Sequence, residues 1–274
     1  MMKWSSNNSL KNKIVIVILA LIVLTYFLFI AIPILSVFLR IDPSQVNAQL
    51  QNPVVIEAIQ LSLYTSAIAT VIVFVLTVPT AYFMATRKFP GKSFIDSVID
   101  LPIVLPPAVA GVALLYAFAP KGLLGPVLNF FGITIPGYTI AVVIAEAFVA
   151  SPFLLRSAKT GFENMDKDII NSAKILSGSR FRVFFTVSMP LTIRAITSGT
   201  MLSWARAMGE FGATLMFAGS LPGITMTMPL AIYSLLYSAN PSEGIMLAII
   251  LIIISFLVLI LIKLLDQKSF GAKK

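Results

Sequence analysis

Long apolar stretches with few or no charged residues are the feature that most constrains what this chain can fold into. About 20 such residues are enough to cross the hydrocarbon core of a bilayer as a helix. Six stretches of this kind predict spans over Ile14–Leu39, Ala58–Thr86, Leu101–Ala119, Tyr138–Leu155, Ala195–Ala218 and Ile245–Ile262. We therefore predict an all-α integral membrane protein with one six-helix domain over residues 14–264, preceded by residues 1–13 and followed by a tail over residues 265–274.

The composition excludes several classes of protein. Only 11% of the residues are charged and 58% are hydrophobic, whereas soluble domains carry about a quarter charged residues. The chain has no Cys and no His, which removes disulfides, thiol nucleophiles, imidazole bases and the usual zinc and haem ligands. We therefore expect no catalytic residue, no metal site and no cofactor in this chain, and we do not expect it to be an enzyme.

The basic residues predict the orientation in the membrane. The net charge is +9, but the Lys and Arg residues lie at the ends of apolar segments and not in a block typical of nucleic-acid binding. Arg40 and Lys121 are the only ones in the loops on one side, and Arg206 lies within a span. All the others lie in the two termini and in the loops on the opposite side. Because basic loops stay on the cytoplasmic side, we expect a multi-pass protein of the cell membrane with both termini in the cytoplasm.

Prolines interrupt the start of the third predicted span. Pro102, Pro106 and Pro107 are too close together to lie in one regular helix, and Gly111 follows them. Carbonyl groups freed by proline must find partners in protein or water when they lie within a membrane. The prolines are therefore either a simple kink at the start of a helix or an irregular segment that lines a pore, and we favour the pore-lining segment.

Three charged residues lie within the predicted spans. Arg206 and Glu210 are four residues apart, so they can pair on one helix face. The pair either lines a pathway or fixes helix packing, since isolated charges in a span are expensive. Gly209 and Gly212 allow a close backbone approach, and we favour helix packing as their use. Glu146 is interpreted as a satisfied polar contact and not as a proton carrier.

The longest polar interruption, residues 156–194, is predicted to be a cytoplasmic loop containing a short amphipathic helix. Its apolar face is predicted from the helical spacing of Ile169, Ile170, Ala173 and Leu176. Asp168 is a candidate N-cap and Gly178 a candidate stop. A helix this short is marginal alone in water. It therefore either docks on a partner protein or lies on the bilayer surface.

The spacing in this loop resembles the cytoplasmic signature of importer permeases of the ATP-binding-cassette class: Glu-Ala-Ala, three residues, Gly, nine residues, Ile-x-Leu-Pro. The corresponding residues here are Asn171-Ser172-Ala173, Ser177 and Val187-Ser188-Met189-Pro190. Asn171 replaces the family's Glu, and Ser177 replaces its Gly. The resemblance implies a coupling helix that docks on an ATPase subunit, formed by Ile169, Ile170, Asn171, Ser172, Ala173, Leu176, Ser177 and Gly178.

Three further stretches resemble the permeases that move tetrahedral oxyanions. They are Asp100–Gly111, Trp204–Thr214 and Met226–Tyr233, of which the last is most similar to the molybdate and tungstate branch. The resemblance implies a type I importer permease fold and a homodimer. It also implies two ATPase subunits that bind ATP and Mg, and an extracytoplasmic oxyanion-binding protein. The implied pathway or gate residues are Pro102, Pro106, Pro107, Gly111, Arg206, Gly209, Glu210, Phe211 and Gly212.

Other functions remain as alternatives. A sulfate or thiosulfate importer permease fits the same resemblance, and an ATP-independent anion channel or carrier is a further alternative. The chain itself is not expected to bind ATP, because Gly91-Lys92-Ser93 lacks the glycine that a phosphate-binding loop needs five residues earlier, where Thr86 stands. An intramembrane enzyme is disfavoured because His, Cys and paired acids are missing.

Overall fold

A computed structural model describes residues 9–177, 179–238 and 241–270. Within these ranges all regular secondary structure is helical, and no β-strand is present. The chain divides into two compact units, residues 1–47 and residues 48–274. The first contains one long helix, α1 (Ser9–Phe38), which runs through Pro33. It covers the first predicted span, and residues 12–38 are long and apolar enough to cross a membrane. A short helix, α2 (Val46–Leu50), lies across the division.

The second unit begins with α3 (Pro53–Thr86). This helix starts five residues before the predicted second span because its beginning is well capped. The Asn52 side chain accepts a hydrogen bond from the amide of Val54 at 2.9 Å, and Pro53 occupies the first helical position, where its missing N–H costs nothing. Asn52 also donates to Glu243 at the start of the last helix, at 2.8 Å. The other end of α3, at Thr86, is where it was predicted.

The third predicted span is not one helix. Residues 92–118 form α4 (Lys92–Val104) and α5 (Pro107–Phe118), which are bent by 115° relative to each other. Leu105 and Pro106 between them are extended, because neither Pro106 nor Pro107 can donate a backbone hydrogen bond. The irregular start is therefore confirmed, and residues 92–100, which precede the third predicted span, are helical as well. Pro102 lies inside α4, and a short helix, α6 (Gly125–Phe130), follows α5.

The polar stretch over residues 156–194 is mostly helical, which corrects the prediction of a loop. The fourth span continues as α7 (Thr139–Glu163), and two short helices follow, α8 (Lys167–Ser177) and α9 (Arg180–Val183). A π-helical turn over Phe184–Ser188 leads into the next long helix. The helix α7 passes beyond Leu155 because its basic residues find partners on α4. Arg156 pairs with Asp100 at 2.8 Å, and Lys159 pairs with Asp96 at 2.6 Å.

The fifth predicted span is also interrupted. It is divided into α10 (Met189–Met208) and α11 (Gly212–Ala218), and is followed by α12 (Met228–Leu236) and α13 (Pro241–Phe270). Among the described residues, four helices are long and apolar enough to span a membrane, or five if α4 and α5 form one span. The count of six spans is therefore not confirmed.

The helices α3, α7 and α10 pack together at the centre of the second unit. Small residues let α7 and α10 approach closely. A Cβ atom added at Gly199 would lie 2.6 Å from the Cβ atom of Ser157. Hydroxyl groups supply polar contacts across the same crossing: Ser157 donates to the carbonyl of Ala195 at 2.7 Å, and Ser203 donates to that of Ala150 at 3.0 Å. Such contacts are typical of helix packing in membranes, where apolar burial alone does not drive association.

Candidate functional site

The amphipathic helix predicted in the polar stretch is α8. Asp166 begins it, because its side chain accepts a hydrogen bond from the amide of Asp168 at 2.8 Å and its carbonyl accepts one from Ile170. The prediction of Asp168 as N-cap was therefore wrong by two residues. The helix ends at Ser177, one residue before the predicted stop. Gly178 and the side chain of Ser177 lie outside the described residues.

The predicted apolar face of α8 is divided in the structure. Ile170 is only 6% exposed, because it turns towards the chain's own helices. Ile169 is 48% exposed and Leu176 is 87% exposed. Ala173 is half-buried, while Asn171 and Ser172 are exposed. The four apolar residues therefore do not share one environment. Ile170 packs α8 against the rest of the chain, whereas Ile169 and Leu176 form an exposed apolar surface. Sequence reasoning missed Ile175, which is 84% exposed on the same helix.

Three of the predicted gate residues, Pro107, Gly111 and Gly212, lie where α5 crosses α11. A Cβ atom at Gly111 would lie 2.6 Å from the carbonyl oxygen of Ala213 and 2.7 Å from the Cβ atom of Met216. A Cβ atom at Gly212 would lie 2.7 Å from the Cβ atom of Pro107. The use of Gly212 in helix packing is therefore confirmed. Gly209 differs, because its nearest neighbour would be the Ala205 carbonyl at 3.6 Å, one turn earlier on its own helix.

We expect Gly111→Ala to destabilise the fold, because the added methyl group would meet backbone atoms of α11 that cannot move independently of the helix. Overpacking of this kind costs about 1–3 kcal/mol. The midpoint of thermal unfolding in detergent measures the effect. Gly209→Ala is the matched control, since a Cβ atom there has room. Equal midpoints for the two variants would contradict the close packing of α5 on α11.

Arg206 and Glu210 form the predicted ion pair, with 2.6 Å between Arg206 Nη2 and Glu210 Oε2. Glu210 does not lie on the same helix as Arg206, however, because α10 ends at Met208. The other oxygen of Glu210 accepts a hydrogen bond from the amide of Ala213 at 2.7 Å, in the first turn of α11. Glu210 therefore joins the end of α10 to the start of α11. Phe211, between them, packs against Tyr233 with ring centroids 5.4 Å apart.

Glu146 is buried within α7. Its Oε1 atom accepts a hydrogen bond from the hydroxyl of Thr65 at 2.9 Å. Its Oε2 atom has no hydrogen-bond partner within the part of the chain that the structure describes. The predicted polar contact is thus confirmed for one carboxyl oxygen. In the same part of the chain, no group of three or more acidic side chains could hold a metal ion.

A groove of about 560 Å³ between α4, α7 and α10 was not predicted. Most of its lining is apolar, and its polar side chains are those of Arg156, Ser157, Thr160, Asn164 and Ser198. The one guanidinium among them is held by Asp100. A signal for this crossing was present in the sequence, because Ser157 and Gly161 on α7, and Ala195 and Gly199 on α10, follow the small-residue spacing of closely packed membrane helices.

Comparison with known proteins identifies the family. Residues 77–270, well over half of the chain, match the binding-protein-dependent transport system inner membrane component. The chain belongs to this family. The permease is 39% identical over 223 residues to the putative molybdenum transport system permease protein YvgM of Bacillus subtilis, covering 81% of the permease and 96% of the relative. It is 37% identical over 192 residues to the molybdate/tungstate transport system permease protein WtpB of Pyrococcus furiosus, covering 69% and 72% of the two chains.

Solved structures show the same fold at low sequence identity. A chain of a bacterial ABC transporter that imports the acidic polysaccharide alginate superposes with a TM-score of 0.73 at 14% identity, covering 97% of the permease and 99% of that chain. A chain of the inward-facing MetNI methionine ABC transporter superposes with a TM-score of 0.51 at 12% identity, covering 80% and 92%. The predicted all-α importer-permease fold is confirmed.

Proposed function

We propose that this permease is the membrane subunit of an ATP-driven importer of molybdate or tungstate. The observation that carries the proposal is the exposed apolar surface of α8, formed by Ile169 and Leu176, which lie seven residues apart on one side of the helix. This surface is the docking site for a separate ATPase subunit, which binds ATP and Mg. The names of the relatives support the choice of cargo, because the proteins that resemble this chain over most of its length are molybdenum or molybdate/tungstate permeases.

The composition of α8 favours a protein partner over the bilayer. Helices that lie on membranes carry Trp, Phe or Leu on one face and many Lys or Arg on the other. In contrast, α8 contains no aromatic residue and only two lysines, Lys167 and Lys174, while Asp168 lies in its first turn. Ile170 and the Asp166 cap hold the first turn in place. Exposed isoleucine and leucine beyond it gain about 1.5–3 kcal/mol each when fully buried, so a groove on a partner would bind this end of the helix.

The transport cycle requires two states of the permease and no chemistry in this chain. Two copies of the chain would pair, each with one ATPase subunit below it and a shared oxyanion-binding protein outside. ATP binding closes the ATPase pair, which draws the two α8 helices together and opens the pathway outward. Hydrolysis allows them to separate and opens it inward. Nucleotide and loaded binding protein each shift this equilibrium by binding one state more tightly.

The groove between α4, α7 and α10 is suited to form part of the pathway. The neutral hydroxyl of Thr160 and the amide of Asn164 can replace water around a tetrahedral anion as it passes. Arg156 is already paired with Asp100, so its charge is partly neutralised and would not trap the anion. A pathway must bind its ion strongly enough to admit it and weakly enough to release it. The crossing of α5 and α11, with Gly111 and Gly212, would frame this pathway.

The orientation follows the basic residues. Of the first three, Lys3 precedes α1 and Lys11 and Lys13 lie near its start, and α8 lies in the most basic of the connecting segments. The proposed orientation therefore places both termini and α8 in the cytoplasm, where the ATPase subunits bind.

The proposal is tested by reconstituting the permease in vesicles with its ATPase and binding protein. We expect uptake of molybdate that requires ATP on the side of the membrane where the ATPase subunits lie. An excess of tungstate should block this uptake, whereas the same concentration of sulfate should not. Uptake at the same rate without ATP would support an anion channel or carrier instead. Equal competition by sulfate or thiosulfate would support the sulfate importer.

A further inference from the structure

A second pocket, of about 430 Å³, lies beside α8. It is bounded by the end of α3, the start of α4, the end of α7 and the first turns of α8. Four cationic side chains line it: Arg87, Lys88, Lys92 and Lys174. Glu163 is the only acidic residue among the lining residues. The pocket therefore gathers an excess of three positive charges from helices that are far apart in the sequence.

These four cations have no ion pair in the structure. Within the described ranges, the ion pairs closer than 4.0 Å are Arg156 with Asp100, Lys159 with Asp96 and Arg206 with Glu210. Two of these already use Asp96 and Asp100, the acidic residues of the helix that Lys92 begins. A cluster of like charges raises the local concentration of anions and is stabilised when one binds. The excess of positive charge in this pocket is typical of a site that binds an anion from outside the chain.

We propose that this basic pocket binds a tetrahedral oxyanion group, either the phosphate of an anionic lipid headgroup or a free oxyanion. A tetrahedral group offers several acceptor oxygens to donors from separate elements, here Arg87 and Lys92 from the segment between α3 and α4 and Lys174 from α8. Arginine and lysine are the side chains that pair with such groups most strongly. The pocket lies at the ends of α3 and α7, where a spanning helix meets the headgroup region, so both sources can reach it.

Binding there would hold α8 in position. Asn171 and Lys174 of α8 line the pocket together with Arg87 and Lys92, which lie between α3 and the start of α4. A bound oxyanion would bridge α8 and this segment, neutralise the repulsion between their cations and fix the helix that carries the apolar docking surface. The consequence for coupling rests on the proposed function, because it requires α8 to receive an ATPase subunit. The binding site itself does not depend on that role.

The test uses the purified full-length permease without ATPase or binding protein. The natural chain has no cysteine, so Ser172→Cys, at an exposed position on α8, accepts one environment-sensitive fluorophore. One arm titrates inorganic phosphate into permease held in nanodiscs of neutral phosphatidylcholine. The other arm raises the fraction of phosphatidylglycerol with no phosphate added. We expect a saturable fluorescence change in at least one arm, and the arm in which it occurs identifies the source.

The control is a pair of substitutions that removes the same charge elsewhere. Lys92→Gln with Lys174→Gln is expected to weaken the response at least about tenfold, since each cation contributes about 1 kcal/mol near an anionic surface. Arg180→Gln with Arg182→Gln removes two exposed charges that do not line the pocket, and the response should stay within about twofold. No saturable response in either arm, or equal weakening by the two pairs, would overturn the site. Because no transport is measured, failure here leaves the proposed function untouched, and failure of transport leaves the site untouched.

Discussion

Leu176→Asp is expected to abolish ATP-driven uptake while the permease still folds. Leu176 is 87% exposed, so an aspartate there stays hydrated in the isolated chain and costs little. When the ATPase subunit binds, the same carboxylate is buried without a partner. An uncompensated buried charge costs about 3–5 kcal/mol, which corresponds to a loss of affinity of at least about 100-fold. Titration of the ATPase subunit against the purified permease measures this loss directly.

Two controls separate docking from folding in this experiment. Leu176→Met keeps an apolar side chain of similar volume and should retain uptake and ATPase binding, since such exchanges are tolerated. Leu123→Asp introduces the same charge at a leucine that is 85% exposed between α5 and α6, and both aspartate variants should unfold at the temperature of the natural chain. Normal affinity of the Leu176→Asp permease for the ATPase subunit would refute the docking surface.

Glu210→Ala is expected to lower the stability of the permease more than any other single substitution discussed above. The carboxyl group is 1% exposed and serves two partners, Arg206 and the amide of Ala213. Removing it leaves a guanidinium and a helix N–H group without their acceptor. Because Arg206 is still 28% exposed, water recovers part of the loss, and we expect about 3 kcal/mol, at the lower end of the range for broken buried pairs.

Further variants distinguish the two roles of this carboxyl group. Glu210→Gln keeps an oxygen for Ala213 but removes the charge, so its stability should lie between those of the natural chain and Glu210→Ala. The double variant Arg206→Ala with Glu210→Ala should lose less than the sum of the single losses, because each single change strands the other partner. The denaturant midpoint in detergent is measured for the natural chain, Glu210→Gln, the two single alanine variants and the double variant. Strict additivity of the single losses would rule out the coupling between the two residues.

The amphipathic helix α8 was predictable because its signals are local. An acidic cap, apolar residues at helical spacing and a serine-glycine end all occur within thirteen residues, Asp166 to Gly178. The direction of each apolar residue was not predictable from the same signals. Ile170 and Ile169 are neighbours in sequence and equal in hydropathy, yet only Ile170 is buried. Helical periodicity finds the apolar side of a helix, but the elements packed nearby decide which of those residues stay exposed.

The prediction of the polar stretch failed for a different reason. Arg156 and Lys159 were interpreted as the start of a loop because basic residues usually mark the end of a span. Their partners, Asp100 and Asp96, lie 56 and 63 residues away on α4, in the part of that helix that precedes the third predicted span. An ion pair between distant elements leaves no periodic signal in the sequence. The groove between α4, α7 and α10 was missed as well, although the spacing of small residues on α7 and α10 gave a partial indication of it.

The sequence by itself determined that this chain is an all-α membrane protein with an exposed amphipathic helix. It also located the proline break before α5 and the pairing of Arg206 with Glu210. These features depend on local chemistry: apolar length, the missing N–H of proline and the reach of side chains a few residues apart. Only the tertiary structure decided that α7 continues past Leu155, that Glu210 links two helices, and that four cations surround one pocket beside α8. Each of these depends on contacts between helices distant in sequence or on where a helix ends, and local patterns do not encode such contacts.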